Sequence, residues 1–278
     1  MKSVFSAFAL AMLAACASTS ASPSYGESLS TVPAYAAPEV ARLQNPKPER
    51  ILFVGNSYLY YNDSLHNHVR RMVDAADVAE LEELTYKSAT IGGATLRDHA
   101  IDHLLVPANL RVAAPFEVVI LQGGSAEPLS EAGRAGFIAT ASAYAAKVRA
   151  AGGEPVLYMT PAYVPPHRRY RPEMIEDIAS LYLETGNEID AMVIPVGLAF
   201  AEAYRRRPEI ELHKDFDGSH PSMLGTYLAA AITFESLYGV SPVGNTYDYY
   251  GAINGDDARF LQEVAHDTVT EFYRRERQ

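Results

Sequence analysis

The feature that most constrains the fold of this chain is an alternation of short apolar runs with helical segments. Four largely apolar runs, a pattern typical of strands buried on both faces, cover residues 51–54, 117–121, 155–159 and 191–195, and a fifth, more polar segment at 81–88 is also expected to be a strand. Segments with helical character separate and follow them, at residues 63–76, 96–105, 130–151, 172–184, 198–206, 221–238 and 256–274. This order predicts an α/β fold, a three-layer α/β/α sandwich with a mostly parallel five-stranded sheet.

The composition is that of a globular domain. Of the 278 residues, 48% are hydrophobic and 21% are charged, which excludes disordered, collagen-like and coiled-coil chains. The net charge of −11 argues against nucleic acid as a partner, because phosphate binding needs a basic surface. A single cysteine excludes an internal disulfide framework and a cysteine-rich zinc site.

The N-terminal residues predict export from the cytoplasm. Lys2 is followed by an apolar run over residues 5–15, which is typical of a secretory signal and too short to span a membrane. The sequence Leu13-Ala14-Ala15-Cys16 that ends this run resembles a bacterial lipobox, which implies that Cys16 is lipidated. The alternative is an ordinary signal peptide in which Cys16 is incidental. The lipobox interpretation predicts a protein anchored in the bacterial cell envelope, on the periplasmic or outer-membrane side.

A spacer follows this signal. Residues 17–49 are rich in Ala, Ser and Pro and show neither strand nor helix periodicity. Their prolines exclude a continuous helix. We therefore expect a tether over residues 17–49, after a signal segment at 1–16, and a folded domain over residues 50–278.

Candidate functional residues follow the first strand, because ligand sites of parallel sheets lie beyond the carboxyl ends of the strands. The first loop reads Gly55-Asn56-Ser57, and a serine just past a strand is well placed to act as a nucleophile. It is not the Gly-x-Ser-x-Gly elbow, because Leu59 stands where the second glycine would be.

A second candidate site lies near the end of the domain, where Asp217 and His220 immediately precede Pro221. This spacing lets one turn bring the carboxylate against the imidazole. A neutral histidine held in this way can accept a serine proton on its other nitrogen. The alternative interpretation is a helix cap next to a surface histidine.

Taken together, these segments resemble the SGNH (GDSL-like) hydrolases over roughly residues 50–240. Gly55-Asn56-Ser57 stands for the family's Gly-Asp-Ser, and Ile91-Gly92-Gly93-Ala94-Thr95 matches the second block. Asp217-Gly218-Ser219-His220-Pro221 matches the last block. The resemblance implies that Ser57 is the nucleophile, that Asp217 and His220 complete a triad, and that Gly93 donates a backbone N–H to the oxyanion.

The third block departs from the family pattern. Family members carry Gly-x-Asn-Asp, whose asparagine donates to the oxyanion, whereas this chain has Leu121-Gln122-Gly123-Gly124-Ser125. Aligning Gly123 with the family glycine puts Ser125 at the asparagine position, and Gln122 is the alternative donor. The departure indicates a divergent bacterial branch.

The resemblance implies a serine esterase that hydrolyses carboxylic esters, including O-acetyl groups, on a small molecule, a glycan or a cell-envelope polymer. The backbone N–H groups of Ser57 and Gly93 would face the oxyanion, and neither a cofactor nor a metal is required. The alternative is a catalytically impaired envelope-binding lipoprotein on the same scaffold, in which the altered third block marks lost activity.

One basic motif lies outside these blocks. His167-Arg168-Arg169-Tyr170-Arg171 follows the fourth predicted strand and is expected at the same edge of the sheet. It is a candidate for binding an acidic substrate or a glycan, and the alternative is a solvated basic loop.

Overall fold

A parallel sheet forms the middle layer of the molecule. In the computed structural model, which describes residues 36–274, the five strands lie in the order β2-β1-β3-β4-β5 and every neighbouring pair is parallel. The strands are β1 (Arg50–Gly55), β2 (Thr85–Thr90), β3 (Val118–Leu121), β4 (Glu154–Tyr158) and β5 (Met192–Ile194). The predicted five-stranded parallel sheet is confirmed.

Helices flank this sheet. They are α1 (Ser57–Tyr60), α2 (Leu65–Ala75), α3 (Ile101–Leu104), α4 (Glu131–Ala150), α5 (Met174–Glu188), α6 (Val196–Arg206), α7 (Met223–Tyr238) and α8 (Gly255–Tyr273). Short 3-10 turns lie at Leu96–Asp98, Pro107–Leu110 and Glu127–Leu129. Within residues 36–274, none of these helices is both long and apolar enough to cross a membrane.

The strand order divides the helices between the two faces. The chain moves from β1 to β2 in one direction and from β3 to β5 in the other. Crossover connections between parallel strands are right-handed. A helix that connects strands in one direction along the sheet therefore covers one face, and a helix that connects strands in the other direction covers the opposite face. Accordingly, α2 and α8 both contact α7, whereas α4 contacts α5. The predicted three-layer α/β/α sandwich is confirmed, and its strand order reverses beside β1, where open α/β sheets bind their ligands.

The core explains why β1 and β3 carry no polar alternation. Residues 51–54 and 118–121 are wholly buried, because helices cover both of their faces. The long predicted helices are present with small shifts at their ends. Ser130 and Ser222 cap α4 and α7 by accepting the N–H groups of Gly133 and Gly225.

Two predicted elements differ in extent. The strand expected over 81–88 begins only at Thr85 and continues to Thr90, since residues 81–84 form a turn in which the Leu84 N–H donates to Leu81. The helix expected over 96–105 is broken, because Asp98 closes a capping box on Thr95 and the next residue is extended.

The domain also includes residues before Arg50. In the described part of the predicted tether, Leu43 is buried and the Glu154 carboxylate accepts the N–H groups of Gln44 and Asn45. The Tyr238 hydroxyl donates to Pro48 O at 2.6 Å. Residues 36–49 therefore contact the domain. The predicted signal segment and Cys16 lie outside the described residues.

Two helical glycines give a matched test of this packing. Gly186 in α5 is buried, and a Cβ there would lie 2.4 Å from Val193 Cγ2, whereas a Cβ on Gly136 in α4 would meet nothing within 4 Å. Gly186→Ala should lower the free energy of unfolding by about 1–3 kcal/mol through overpacking. Gly136→Ala should raise it by roughly 0.5–1 kcal/mol through helix propensity. Urea unfolding measures both, and equal effects of the two changes would contradict the packing described.

Candidate active site

Ser57 lies where β1 passes into α1. Asn56 is extended and caps α1, its side-chain oxygen accepting the Tyr58 N–H at 3.2 Å. Ser57 is the first residue of the helix and is nearly buried, with 6% of its surface exposed. The turn therefore projects Ser57 at the carboxyl edge of the sheet from a backbone held by a helix cap.

The loop before α7 holds Asp217 and His220 in a defined turn. Asp217 Oδ1 accepts the backbone N–H groups of Ser219 at 2.8 Å and His220 at 3.0 Å. Asp217 Oδ2 lies 2.5 Å from His220 Nδ1. At the base of the loop, the Lys214 N–H donates to His220 O at 2.7 Å. The carboxylate therefore orients the imidazole through a closed local network.

The structure brings the two predicted segments together. His220 Nε2 lies 2.9 Å from Ser57 Oγ. Because Nδ1 faces a carboxylate, which only accepts, the proton of the neutral ring belongs on Nδ1. Nε2 then accepts a hydrogen bond from the Ser57 hydroxyl. The three residues form a continuous hydrogen-bonded chain from hydroxyl to imidazole to carboxylate, which is the geometry needed to activate a serine.

The Asp217 carboxyl is held in its charged form. Partial burial opposes ionisation, but the hydrogen bonds from the His220 ring and from the Ser219 and His220 N–H groups outweigh that effect. The pKa of Asp217 therefore lies below its usual range. A charged carboxylate beside Nδ1 stabilises a protonated imidazole, which forms when His220 accepts a proton.

Aromatic side chains fix the imidazole from its sides. The Tyr61 ring stacks on His220 with ring centroids 4.3 Å apart and planes 14° apart. Tyr58 is buried, and its hydroxyl lies 3.0 Å from the Oγ of Ser219, which neighbours His220 in the chain. Burial raises the pKa of Tyr58, so its hydroxyl keeps its proton. Both tyrosines come from the segment that follows Ser57, so one short stretch carries the serine and positions its histidine.

Asn62 ties the same stretch to the start of α7. Its side-chain amide donates to Pro221 O and Ser222 O, each at 2.9 Å, and to Thr226 Oγ1 at 2.8 Å. Its backbone is left-handed, with φ of 53°, a conformation that asparagine tolerates better than most residues. We call residues 57–62 the serine segment and residues 214–222 the histidine loop. The bonds of Asn62 fix the separation between the two.

An open pocket of about 530 Å³ lies over the serine and the imidazole. Its walls are polar, aromatic or glycine-rich, and include Ser57, Tyr60, Tyr61, Gly92, Gly93, Ser125, Tyr163, His167 and His220. Gly93 has φ of +71°, a left-handed backbone that glycine adopts without strain. Within residues 36–274, neither the Ser57 N–H nor the Gly93 N–H donates a hydrogen bond to the protein. Both remain available to a ligand oxygen.

The third block places Ser125 and Gln122 differently. Ser125 lines the pocket, with its Oγ 2.8 Å from the Tyr163 hydroxyl. Gln122 is fully buried: its Oε1 accepts the Asn56 N–H at 2.8 Å and its Nε2 donates to Gly123 O. The expectation that Gln122 could donate to an oxyanion is therefore wrong, because both ends of its amide are used to hold the turn before Ser57.

The positioning roles of several residues, including Asn56 of the first block, were not predicted from the sequence. Asn56 and Asn62 position the serine segment, while Tyr61 and Tyr163 contact His220 and Ser125. The N-cap preference of asparagine before a helix could have indicated Asn56. The contacts of Tyr61 and Tyr163 join residues distant in sequence, and no local signal predicts them.

The side-chain amide of Asn56 gives a test of this arrangement. Its Nδ2 donates to Ala94 O at 2.9 Å, joining the first loop to the second block. Asn56→Asp, which introduces the family's aspartate, should lower the free energy of unfolding by about 1–3 kcal/mol at pH 8, because an ionised carboxylate cannot donate. The buried carboxyl would have a raised pKa, so the deficit should be small near pH 4 and grow as the pH rises.

Urea unfolding at several pH values measures this deficit. Asn67→Asp is the matched control, since the Asn67 amide also donates to a carbonyl but is solvent-exposed. A deficit that is the same at every pH would contradict the bond to Ala94 O.

The sequence matches no protein-family model, and no curated protein is significantly similar to it. Solved structures do resemble it. A DUF4886 family protein from Bacteroides uniformis aligns with a TM-score of 0.59 and 18% identity over 82% of this chain and 96% of its own.

Two further solved structures carry functional descriptions. A candidate SGNH hydrolase from Slackia heliotrinireducens aligns with a TM-score of 0.56 and 23% identity, over 68% of this chain and 98% of its own. The acetyl xylan esterase AlAXEase aligns with a TM-score of 0.51 and 17% identity, over 67% of this chain and 98% of its own. The fold of this chain is therefore that of the SGNH (GDSL-like) hydrolases.

Proposed function

We propose that this protein is a serine hydrolase that cleaves carboxylic esters, with Ser57 as nucleophile, His220 as general base and acid, and Asp217 as the residue that orients and stabilises the imidazole. The observation that carries the proposal is the hydrogen-bonded chain at 2.9 Å and 2.5 Å beneath an open pocket. A helix cap next to a surface histidine would not require His220 to face a serine from the other end of the domain.

The reaction follows from the positions of the protons. Ser57 Oγ attacks the carbonyl carbon as His220 Nε2 takes its proton, and the carbonyl electron pair moves to the oxygen. The ester C–O bond then breaks, and the imidazolium gives its proton to the leaving alcohol. A water molecule repeats the sequence on the acyl-enzyme, giving its proton to His220 and releasing the acid with Ser57 restored.

Two backbone N–H groups and one side-chain hydroxyl stabilise the oxyanion in this mechanism. We assign the Ser57 and Gly93 backbone N–H groups, which flank the pocket and have no protein acceptor among the described residues. Ser125 is the third donor, at the position of the family's asparagine. Burial raises the pKa of Tyr163, so its hydroxyl keeps a proton that it can donate to Ser125 Oγ. The Ser125 side chain also has a hydrogen bond with the Tyr58 hydroxyl. With both tyrosines donating to its oxygen, the Ser125 hydrogen points into the pocket.

We propose an O-acetyl group on a glycan or cell-envelope polymer as the ester. The open pocket can admit a polymer, and Tyr60, 40% exposed at its rim, offers a flat surface for a sugar ring. One structure of the same fold is an acetyl xylan esterase. The alternative function is that of a binding protein on the same scaffold. The altered third block supports this alternative, whereas the intact hydrogen-bonded chain of Ser57, His220 and Asp217 argues against it.

The triad is tested by covalent labelling and kinetics. A fluorophosphonate probe should label the protein, and Ser57→Ala should abolish labelling. Ser57→Ala and His220→Ala should each lower kcat on a short nitrophenyl ester roughly 10⁴- to 10⁶-fold, and the double variant should lose little more, because the residues act as one unit. Ser142→Ala, on α4 outside the pocket, is the control. Losses that multiply, or labelling that survives Ser57→Ala, would refute the assignment.

The third donor has a separate kinetic signature. Ser125→Ala should lower kcat roughly 10- to 1000-fold with KM nearly unchanged, because the contact to the oxyanion forms in the transition state. Tyr163→Phe should lower kcat by a smaller factor, since it only orients the Ser125 hydroxyl. If kcat of a folded Ser125→Ala protein changes less than twofold, Ser125 is not an oxyanion donor, and only the Ser57 and Gly93 N–H groups stabilise the oxyanion.

We also propose that the protein is a lipoprotein of the bacterial envelope, anchored through Cys16. The support is the lipobox-like Leu13-Ala14-Ala15-Cys16 with the only cysteine of the chain at the required position. Cys16→Ser should leave the protein unlipidated and move it out of the membrane fraction, because the acyl chains supply the anchoring free energy. Mass spectrometry and fractionation measure this outcome. Unchanged processing and sedimentation of Cys16→Ser would refute the anchor.

A further inference from the structure

The basic motif after β4 contributes one residue to the lining of the pocket. We call residues 164–171 the arginine loop. His167 lines the pocket together with Ser57 and His220. Arg168 and Arg169 follow it and are solvent-exposed, whereas Arg171 pairs with Asp177. Two guanidinium groups therefore project from the chain directly after a pocket-lining residue.

The arginine loop is packed against the histidine loop. The Val164 N–H donates to Gly218 O at 2.8 Å. Gly218 has φ of +62°, and a Cβ there would lie 2.1 Å from Val164 O, so only glycine permits this approach. The Arg169 N–H donates to His167 Nδ1 at 3.2 Å, and the His167 ring lies against Tyr163. The backbone that carries the two arginines is thus fixed next to Asp217 and His220.

The positive charge of this loop is not neutralised by the protein. The chain has a net charge of −11, and arginines elsewhere, including Arg50, Arg206 and Arg207, pair with carboxylates. In the part of the chain that the structure describes, neither Arg168 nor Arg169 forms such a pair. In an acidic protein, two unpaired arginines that directly follow a pocket-lining residue are a local excess of positive charge.

Two acidic side chains lie in or beside the pocket, and neither forms an ion pair with Arg168 or Arg169. Asp217 keeps its charge, but both of its oxygens accept hydrogen bonds within the loop that carries His220. The Glu127 carboxyl accepts the Gly124 N–H at 2.5 Å, and burial raises its pKa. The charge of Arg169 also reaches the pocket interior: burial raises the pKa of Tyr163, while the bond with Ser125 and the charge of Arg169 oppose that rise.

We propose that the ester substrate carries an anionic oxygen group, a carboxylate or a phosphate, close to the scissile bond, and that Arg168 and Arg169 bind this group. The inference rests on the proposed esterase function and defines its substrate class. Guanidinium groups bind carboxylates and phosphates through paired, charge-assisted hydrogen bonds. The anion would lie on the arginine-loop side of the pocket, and the ester carbonyl between Ser57 and Gly93.

Matched esters test the charge preference. The 4-nitrophenyl monoester of glutaric acid carries a carboxylate, and 4-nitrophenyl valerate is a neutral ester of similar length. We expect kcat/KM to be higher for the charged ester and to fall as salt is added, because screening weakens the attraction. Acetylated sugars with and without a phosphate group, followed by acetate release, show which anion is preferred.

Variants assign the preference to the arginine loop. The double variant Arg168→Gln with Arg169→Gln should lower kcat/KM for the charged ester about 3- to 30-fold, as expected for two partly exposed ion pairs, and change the neutral ester less than twofold. Replacing both arginines by lysine should restore part of the preference. Arg259→Gln is the control, an exposed arginine on α8 outside the pocket.

A binding measurement separates this inference from the esterase proposal. The same two esters can be titrated into the Ser57→Ala protein, where turnover should be slowed by at least about 10⁴-fold, and binding followed by NMR. Tighter binding of the charged ester that is lost in the arginine double variant supports the anion site, even if the wild-type protein shows no esterase activity. Equal binding of the two esters, or an equal effect of the double variant on the binding of both, overturns the anion site. In that case, hydrolysis of the neutral ester that depends on Ser57 would still support the esterase proposal.

Discussion

The parallel pairing of β1 with β3 is the constraint on which the site depends. Val54 lies opposite Leu121 at the ends of the two strands, and the Gln122 N–H donates to Val54 O at 2.9 Å. Because parallel strands end at the same edge of a sheet, the loops that carry Ser57 and Ser125 emerge side by side. The fully buried Gln122 side chain then joins the two loops by accepting the Asn56 N–H. It lies so close to Gly55 that a Cβ on Gly55 would be 2.4 Å from Gln122 Oε1.

The histidine loop reaches this edge from the other end of the chain. The start of α7 is attached to the serine segment by Asn62, and the imidazole is stacked on Tyr61. Attachments of this kind matter because a displacement of about 1 Å in a reacting group can cost on the order of 100-fold in rate. The geometry between Ser57 and His220 therefore depends on residues that do not take part in proton transfer.

The departures from the family pattern have local compensations. Asn56 stands where the family has aspartate, and its amide donates to the carbonyl of Ala94, a bond that an ionised carboxylate could not form. Ser125 stands where the family has asparagine, and Tyr163 supplies a hydroxyl to orient it. The arginine loop follows in the same region, packed on Gly218. This is the side of the pocket on which we place substrate selection.

The sequence by itself determined the sheet and most of the long helices, because apolar periodicity is a local property of the chain. The short spacing of Asp217 and His220 indicated that these two side chains can meet, whereas their pairing with Ser57, 163 residues from His220, was only implied by the resemblance to the SGNH hydrolases. It did not determine where the strand before Thr90 begins, nor that Gln122 turns inward, because these depend on the turn at 81–84 and on the packing of β3 against Gly55. Only the tertiary structure decided which side chains surround the reacting atoms, since contacts such as that between Tyr163 and Ser125 join segments that no spacing rule connects.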